Sequence, residues 1–402
     1  MHFGKVIEII NYSNTRQDLD CNTYKRCGGC NLRHMKYEET LKLKKAIVQN
    51  LVNKLLEQKI TVKETIGMEK PFFYRNKAQY PVGYNKKGEI VTGVYASRTH
   101  EIIPIESCAI QMQVSQEILK FIIQFMKENK ISAYNEKERL GAIRHIVIKI
   151  GRYTNEIMCV LVTNDRQIAH EYELVEALKN NFPNIKTIIK NINHKNTNVI
   201  MGIENQILYG TGYIKDKLGN FIFNISPLSF YQINPIQTEK LYNLAIQKAK
   251  LTKEDIVLDL YCGIGTIGIF ASPYVKQVYG IEIVDQAIID AKENAKQNNI
   301  KNIEFYCGDV EEILETVLEK KNVIPNVVFV DPPRKGLDDK TIKNIIKLKP
   351  ERLIYISCNP ATLVRDLAKL DEIYEIKEIQ TLDMFPYTTH IETVALLTLK
   401  NQ

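Results

Sequence analysis

The sequence contains no apolar run approaching about 18 residues, the length a membrane-spanning helix needs, so no membrane span is expected. Its start carries no apolar leader region. Polar Asn11, Ser13, Asn14, Arg16 and Asp18 follow the short apolar run at 6–10, and the expected compartment is the reducing cytoplasm. There the eight cysteines are not expected to pair as disulfides, and metal binding or catalysis becomes their better use. Internal repeats, low-complexity tracts and long linkers are also missing. Surplus positive charge is absent from three quarters of the chain. Residues 1–100 hold 18 Lys/Arg against 9 Asp/Glu, whereas the remainder holds 36 against 38. A solvated basic face and a polyanion-binding surface both fit that imbalance. What is present is ordinary globular material: 402 residues, 45% hydrophobic and 25% charged, enough for two or three domains.

The pattern changes near residue 230. Upstream, 142–150 and 156–162 read as strands and 116–128 as an amphipathic helix. A second helix is expected over 38–56, with Leu41, Ile47, Leu51 and Leu55 near one face. Downstream, short apolar runs at 256–261, 278–282, 303–306, 327–330 and 352–357 alternate with helical patterns, including 267–271 and 285–297. This rhythm predicts an open, doubly wound α/β sheet. The expected division is 1–229 and 230–402, with residues 1–20 too few for a domain of their own.

Cys21, Cys27 and Cys30 form a Cys-x5-Cys-x2-Cys group in CNTYKRCGGC. Gly28 and Gly29 let the backbone turn tightly enough for thiolates to converge. A closed tetrahedral zinc or a cuboidal iron–sulfur cluster needs a fourth ligand, for which Cys108 in IESCAIQ is the best candidate. Three unrelated buried cysteines would be the bland reading, and the tight spacing weakens it. Spacing leaves zinc and iron–sulfur both open. Cys159 lies inside an apolar strand, and Cys262, Cys307 and Cys358 fall in the sheet region.

IVLDLYCGIGTIGIF reads as a strand, a glycine turn at Gly263 and Gly265, and a helix. The next strand ends in Glu282, placed to accept ribose hydroxyls, and Asp309 one strand further could accept from an adenine amine. A dinucleotide and S-adenosylmethionine both fit to this point. The fourth strand runs into Asp331-Pro332-Pro333, a carboxylate on a rigid turn that resembles a methyltransferase catalytic loop. Cys358, in YISCNPATLVRD, follows the fifth apolar run, at the sheet edge where open α/β folds keep ligands. His390 and Glu392 stand just before or at the start of a C-terminal strand. On position alone, Glu392 reads as an exposed strand carboxylate.

Together SPLSFYQINP (226–235), DLYCGIGTIG (259–268), DPPRKG (331–336), SCNPATLVRD (357–366) and HIE (390–392) resemble the uracil-5-methyltransferases of structural RNA. CNTYKRCGGC with Cys108 is similar to the branch that methylates 23S ribosomal RNA. The resemblance covers nearly the whole chain, in order. It implies a Rossmann-like methyltransferase sheet behind an α+β N-terminal and central domain. Cys21, Cys27, Cys30 and Cys108 would ligate a 4Fe–4S cluster. Gln232, Tyr261, Glu282 and Asp331 would bind S-adenosylmethionine, with Thr266 and Asp309 at more variable cofactor positions. Cys358 would be the nucleophile and Glu392 the base. It further implies RNA as partner, no membrane, a monomer, and a 38–58 helix packed back on the catalytic domain.

One departure stands out. Such enzymes usually carry an RNA-binding TRAM barrel ahead of the cysteines, and only 20 residues precede them here. The barrel is expected to be absent, with FGKVIEII as its last strand. Three alternatives stand beside this reading. A transfer RNA substrate fits less well, because that branch generally lacks the four cysteines. A cytosine-5-methyltransferase commonly uses a second cysteine near the methyl-transfer loop, and DPPRKG has none. A non-catalytic RNA-binding cluster protein would not require Cys358, Glu392 and Asp331 together.

Overall fold

The computed structural model describes residues 7–97 and 99–400. An eight-stranded sheet carries the C-terminal half. Its strands lie in the order Lys63–Ile66, Tyr374–Leu382, Glu392–Leu399, Arg352–Ser357, Val327–Val330, Ile256–Leu260, Gln277–Glu282 and Ile303–Cys307. All neighbours run parallel except Glu392–Leu399, which is antiparallel to both strands beside it. The central strands are mostly apolar because helices cover both faces, and Val327–Val330 is buried at every position. The expected doubly wound sheet is present, and its strands begin and end within a residue or two of the apolar runs.

A seven-stranded sheet fills most of residues 77–210, in the order Ile102–Pro104, Ile90–Tyr95, Lys77–Tyr84, Ile143–Ile150, Ile157–Thr163, Ile185–Ile192 and Glu204–Gly210. Helix Gln113–Glu128 lays Ile118, Leu119, Ile122, Ile123 and Met126 on it. The two sheets are not separate bodies. Val147, Met158 and Val160 of the second sheet share one apolar core with Val257, Val327 and Ile354 of the first. The hairpin Ile214–Leu218/Phe221–Ile225 contributes Leu218 and Phe223 to that core.

Residues 37–66 belong physically to the layer of the eight-stranded sheet. Helix Tyr37–Leu55 packs Val48 and Val52 into the core on the other sheet face, and strand Lys63–Ile66 extends the sheet edge. The buried stripe of this helix is Thr40, Lys44, Val48 and Val52, spaced four apart. Leu55, expected on the inner face, is exposed, while Leu41, Ile47 and Leu51 are half-buried. Hydropathy missed the stripe because Lys44 goes inward to a buried partner, Asp383, 2.5 Å away.

The strand expected in FGKVIEII falls partly on residues outside those described, and residues 7–10 form no strand. Among the described residues, no helix is long and apolar enough to cross a membrane.

Candidate active site

The glycine turn follows strand Ile256–Leu260. Tyr261 adopts a left-handed φ of 63°, costly for a bulky residue and typical of functional turns. Gly263 (φ 55°) and Gly265 (φ 79°) complete the turn. A side chain at Gly265 would strike the Phe305 ring, whereas one at Gly263 would enter open space. That space is a cleft lined by Gln232, Tyr261, Thr266 and Asp331, with Phe230 and Tyr242. Four of the six predicted cofactor residues thus share one cleft.

The other two are beside it. Glu282 turns onto the loop, accepting from the Gly263 N–H (3.1 Å) and the Val284 N–H (3.0 Å). Asp309 caps helix Val310–Lys321, accepting from the Glu311 N–H at 2.9 Å. A capping role gives that Asp a structural use that does not involve adenine. Thr266 is also engaged, its hydroxyl 3.1 Å from that of Tyr242.

The upstream sheet places Gln232. Asn76 Nδ2 donates to the Gln232 carbonyl (3.1 Å), and buried Lys149 donates to the carbonyls of Ser226 (2.7 Å) and Ser229 (3.1 Å). Beneath the glycine turn, Asp259 accepts from the Gly268 N–H at 2.8 Å, and its Oδ1 meets no partner. Burial pushes its carboxyl up to about 8. Sequence reasoning passed over Asp259, although a carboxylate in the middle of an apolar strand was its signal.

Cys358 follows strand Arg352–Ser357, half-buried at the carboxyl edge. Asn359 caps helix Pro360–Leu370, whose first residue is proline, which ends the strand and starts the turn. Asn359 Nδ2 and the Thr362 hydroxyl both donate to the Arg334 carbonyl, at 3.0 and 3.3 Å. Buried Asp366 accepts from Tyr355 (2.7 Å) and from the Leu337 N–H (2.8 Å). These bonds stitch SCNPATLVRD to DPPRKG, and neither Asp366 nor Arg334 was singled out from sequence.

Electrostatics joins the proposed chemical groups. Burial pushes the Cys358 thiol up, Glu392 and Asp331 push it further, and Arg334 opposes them. Burial pushes Asp331 up to about 7. Glu392, buried at the first position of its strand, is pushed well above the carboxylate range by burial and then by Asp331. An exposed strand carboxylate it is not. His390 is exposed and turned toward Phe385, ring centroids 5.6 Å apart.

Cys21, Cys27, Cys30 and Cys108 line one cavity of about 350 Å³, together with Arg33, Arg75 and Lys77. Gly28, at φ 67°, turns the chain out of helix Tyr24–Cys27 so that Cys30 returns to the cavity. Burial and then Cys108 push the Cys30 thiol up to about 12. Gln116 clamps the backbone of Cys108, accepting from its N–H (2.7 Å) and donating to its carbonyl (3.0 Å). Among the described residues, no three His, Cys, Asp or Glu side chains converge closely enough to hold a single metal ion.

A Rossmann-like sheet, a glycine turn over a cofactor cleft and a DPP loop beside it define a methyltransferase of the S-adenosylmethionine-dependent class. Residues 36–400 match the profile of the tRNA (Uracil-5-)-methyltransferase family, and the chain belongs to that family. It is 48% identical to an uncharacterized RNA methyltransferase of Staphylococcus epidermidis, over 99% of this chain and 88% of that protein. A Clostridium acetobutylicum protein of the same description is also 48% identical, over 98% and 86%. Among solved structures, Pyrococcus abyssi tRNA (uracil-54, C5)-methyltransferase in complex with S-adenosyl-L-homocysteine is similar, with a TM-score of 0.78 and 28% identity, covering 97% of this chain and 88% of that one.

Proposed function

We propose that this enzyme methylates carbon 5 of a uridine in 23S ribosomal RNA through a covalent Cys358–uracil adduct. The carrying observation is the shared electrostatic site of Cys358, Glu392 and Asp331 next to the cleft lined by Gln232, Tyr261 and Thr266. Carbon 5 of uracil is too weak a nucleophile to take a methyl group unaided. Addition of the Cys358 thiolate to carbon 6 turns the ring into an enolate, whose carbon 5 is nucleophilic. S-adenosylmethionine supplies the methyl group as a sulfonium electrophile. Glu392 then removes the carbon 5 proton, and the ring expels the Cys358 thiolate to regain its double bond. Asp331 and Glu282 add negative charge that suits a cationic cofactor. Asp309 belongs to the cofactor set only if its capping bond leaves an oxygen for adenine.

The proposal includes a 4Fe–4S cluster on Cys21, Cys27, Cys30 and Cys108. A single zinc would need its sulfurs roughly 4 Å apart, given zinc–sulfur bonds of about 2.3 Å. What supports the cluster is that the four cysteines line one cavity of about 350 Å³. The ribosomal target rests on that cysteine set. A transfer RNA target is the second reading, favoured by the likeness to the Pyrococcus enzyme. The division at 229/230 and a cytoplasmic, monomeric enzyme belong to the same proposal, with residues 37–66 placed on the catalytic side. Mapping 5-methyluridine in 23S ribosomal and transfer RNA from a deletion strain tests it. A site lost from 23S RNA, restored by the wild-type gene and not by Cys358→Ala, is expected. Loss confined to transfer RNA would replace the target, and no loss from either would overturn the activity.

A further inference from the structure

The loop at 383–391 joins strands Tyr374–Leu382 and Glu392–Leu399 and delivers Glu392 to the site. The cysteine segment grips it directly. The Leu32 N–H donates to the Tyr387 carbonyl at 2.9 Å. Asn31 makes two bonds to Thr389: its Nδ2 donates to the hydroxyl (3.3 Å) and its Oδ1 accepts from the N–H (3.1 Å). The Arg33 guanidinium lies 4.8 Å from the centre of the Tyr387 ring, and Asp20 holds that guanidinium at 2.5 and 2.6 Å.

Tyr387 needs such holding, because it sits at φ 63°, a left-handed conformation that a bulky residue keeps only when its surroundings impose it. The cysteine segment, in turn, meets the loop through buried Leu32 and Arg33. Its one helix, Tyr24–Cys27, buries no residue. The placement of the loop therefore depends on Asn31, Leu32 and Arg33 and not on that helix. Cys358 has no comparable dependence, since Asn359, Thr362 and Asp366 fix its loop from within the catalytic domain.

We propose that the four-cysteine segment positions the base: Asn31, Leu32 and Arg33 hold the 383–391 loop so that Glu392 meets carbon 5, and Asn31 is a positioning residue for proton removal. This rests on the roles assigned above to Glu392 and to the cysteines. Weakening the grip should leave thiolate addition and methyl transfer nearly intact and slow the release of methylated RNA.

The test uses the full-length, iron-loaded protein, methyl-labelled S-adenosylmethionine, and total RNA from the deletion strain. Label is scored on a denaturing gel as protein-bound or free, and backbone hydrogen exchange over 387–392 is followed without RNA. Asn31→Ala should retain its iron, exchange faster over 387–392, and hold about five- to tenfold more label in the protein-bound band, the scale of one or two lost hydrogen bonds. Asn31→Asp should behave like the wild type, because a carboxylate accepts from the Thr389 N–H and the hydroxyl can rotate to donate. Wild-type exchange and partition in Asn31→Ala would overturn the proposal. So would an equal fall in adduct formation and release, the mark of general destabilisation. Glu392→Gln run in parallel separates the two ideas: failure to trap label there removes Glu392 as the base, while the exchange result still decides whether Asn31 holds the loop.

Discussion

Cys358 and Glu392 can be told apart by what each loss leaves behind. Cys358→Ala should abolish methylation while cofactor binding persists, because Gln232, Tyr261 and Asp331 still line the cleft. Glu392→Gln should stall after methyl transfer, leaving labelled RNA attached to the protein on a denaturing gel. The double variant should show no such band, and a band there would remove Cys358 as the nucleophile. A separate expectation concerns Arg334, a cation that counters the upward push on the Cys358 thiol. Replacing it with methionine should move the alkaline limb of Cys358 alkylation, followed peptide by peptide, to higher pH and slow the reaction near neutrality. An unmoved limb would show that Arg334 does not tune the thiol. Residue types and motif context were enough to single out Cys358 and Asp331. Glu392 could not be placed as buried from its strand position, since burial there follows from a strand paired on both sides, with Arg352–Ser357 and Tyr374–Leu382. Asp309 was legible as a carboxylate at a strand end but not as a helix cap, because a ligand site and a cap use the same residue type at the same place.

At the scale of elements, helix Tyr37–Leu55 and the 383–391 loop are joined by the fully buried Lys44–Asp383 pair, to which Tyr37 adds a bond to Asp383 at 2.8 Å. Asp383→Ala would leave a buried ammonium without its counter-charge, so denaturant unfolding should show a loss of about 3–5 kcal/mol. A loss below about 1 kcal/mol, the value of an exposed pair, would contradict this account. The cysteine segment makes a matched prediction. Cys108→Ser should lower iron content and visible absorption of anaerobically purified protein, while Cys159→Ser, in strand Ile157–Thr163, should change neither. Stoichiometric zinc with no colour would remove the cluster. Helix and strand positions were largely readable from periodicity, as at Val327–Val330. The inward stripe of helix Tyr37–Leu55 was not, because periodicity scores hydropathy and this stripe is anchored by an ion pair with a residue more than three hundred positions away.

At the scale of the molecule, a change of rhythm near residue 230 led to the expected division at 229/230, and the packing crosses it twice. Residues 37–66 cross to the catalytic layer, and one core runs beneath both sheets. No local pattern reports which distant strand an edge will find. The strand order also fixes when the protein becomes complete. Tyr374–Leu382 is bonded to the body of the sheet through Glu392–Leu399, and Lys63–Ile66 is bonded in turn to Tyr374–Leu382. A chain ending at residue 391 should therefore lose three strands, not one, and limited proteolysis should cut it within 37–66 as well as near its end. During synthesis, a strand made among the first seventy residues must wait for its neighbour Tyr374–Leu382, and that pair joins the sheet only once the strand Glu392–Leu399 has followed. Glu392 opens that final strand. The enzyme thus acquires its proposed base in the same step that closes its sheet, and on that proposal a nascent or truncated chain that already carries Cys358 should add to uracil without releasing it.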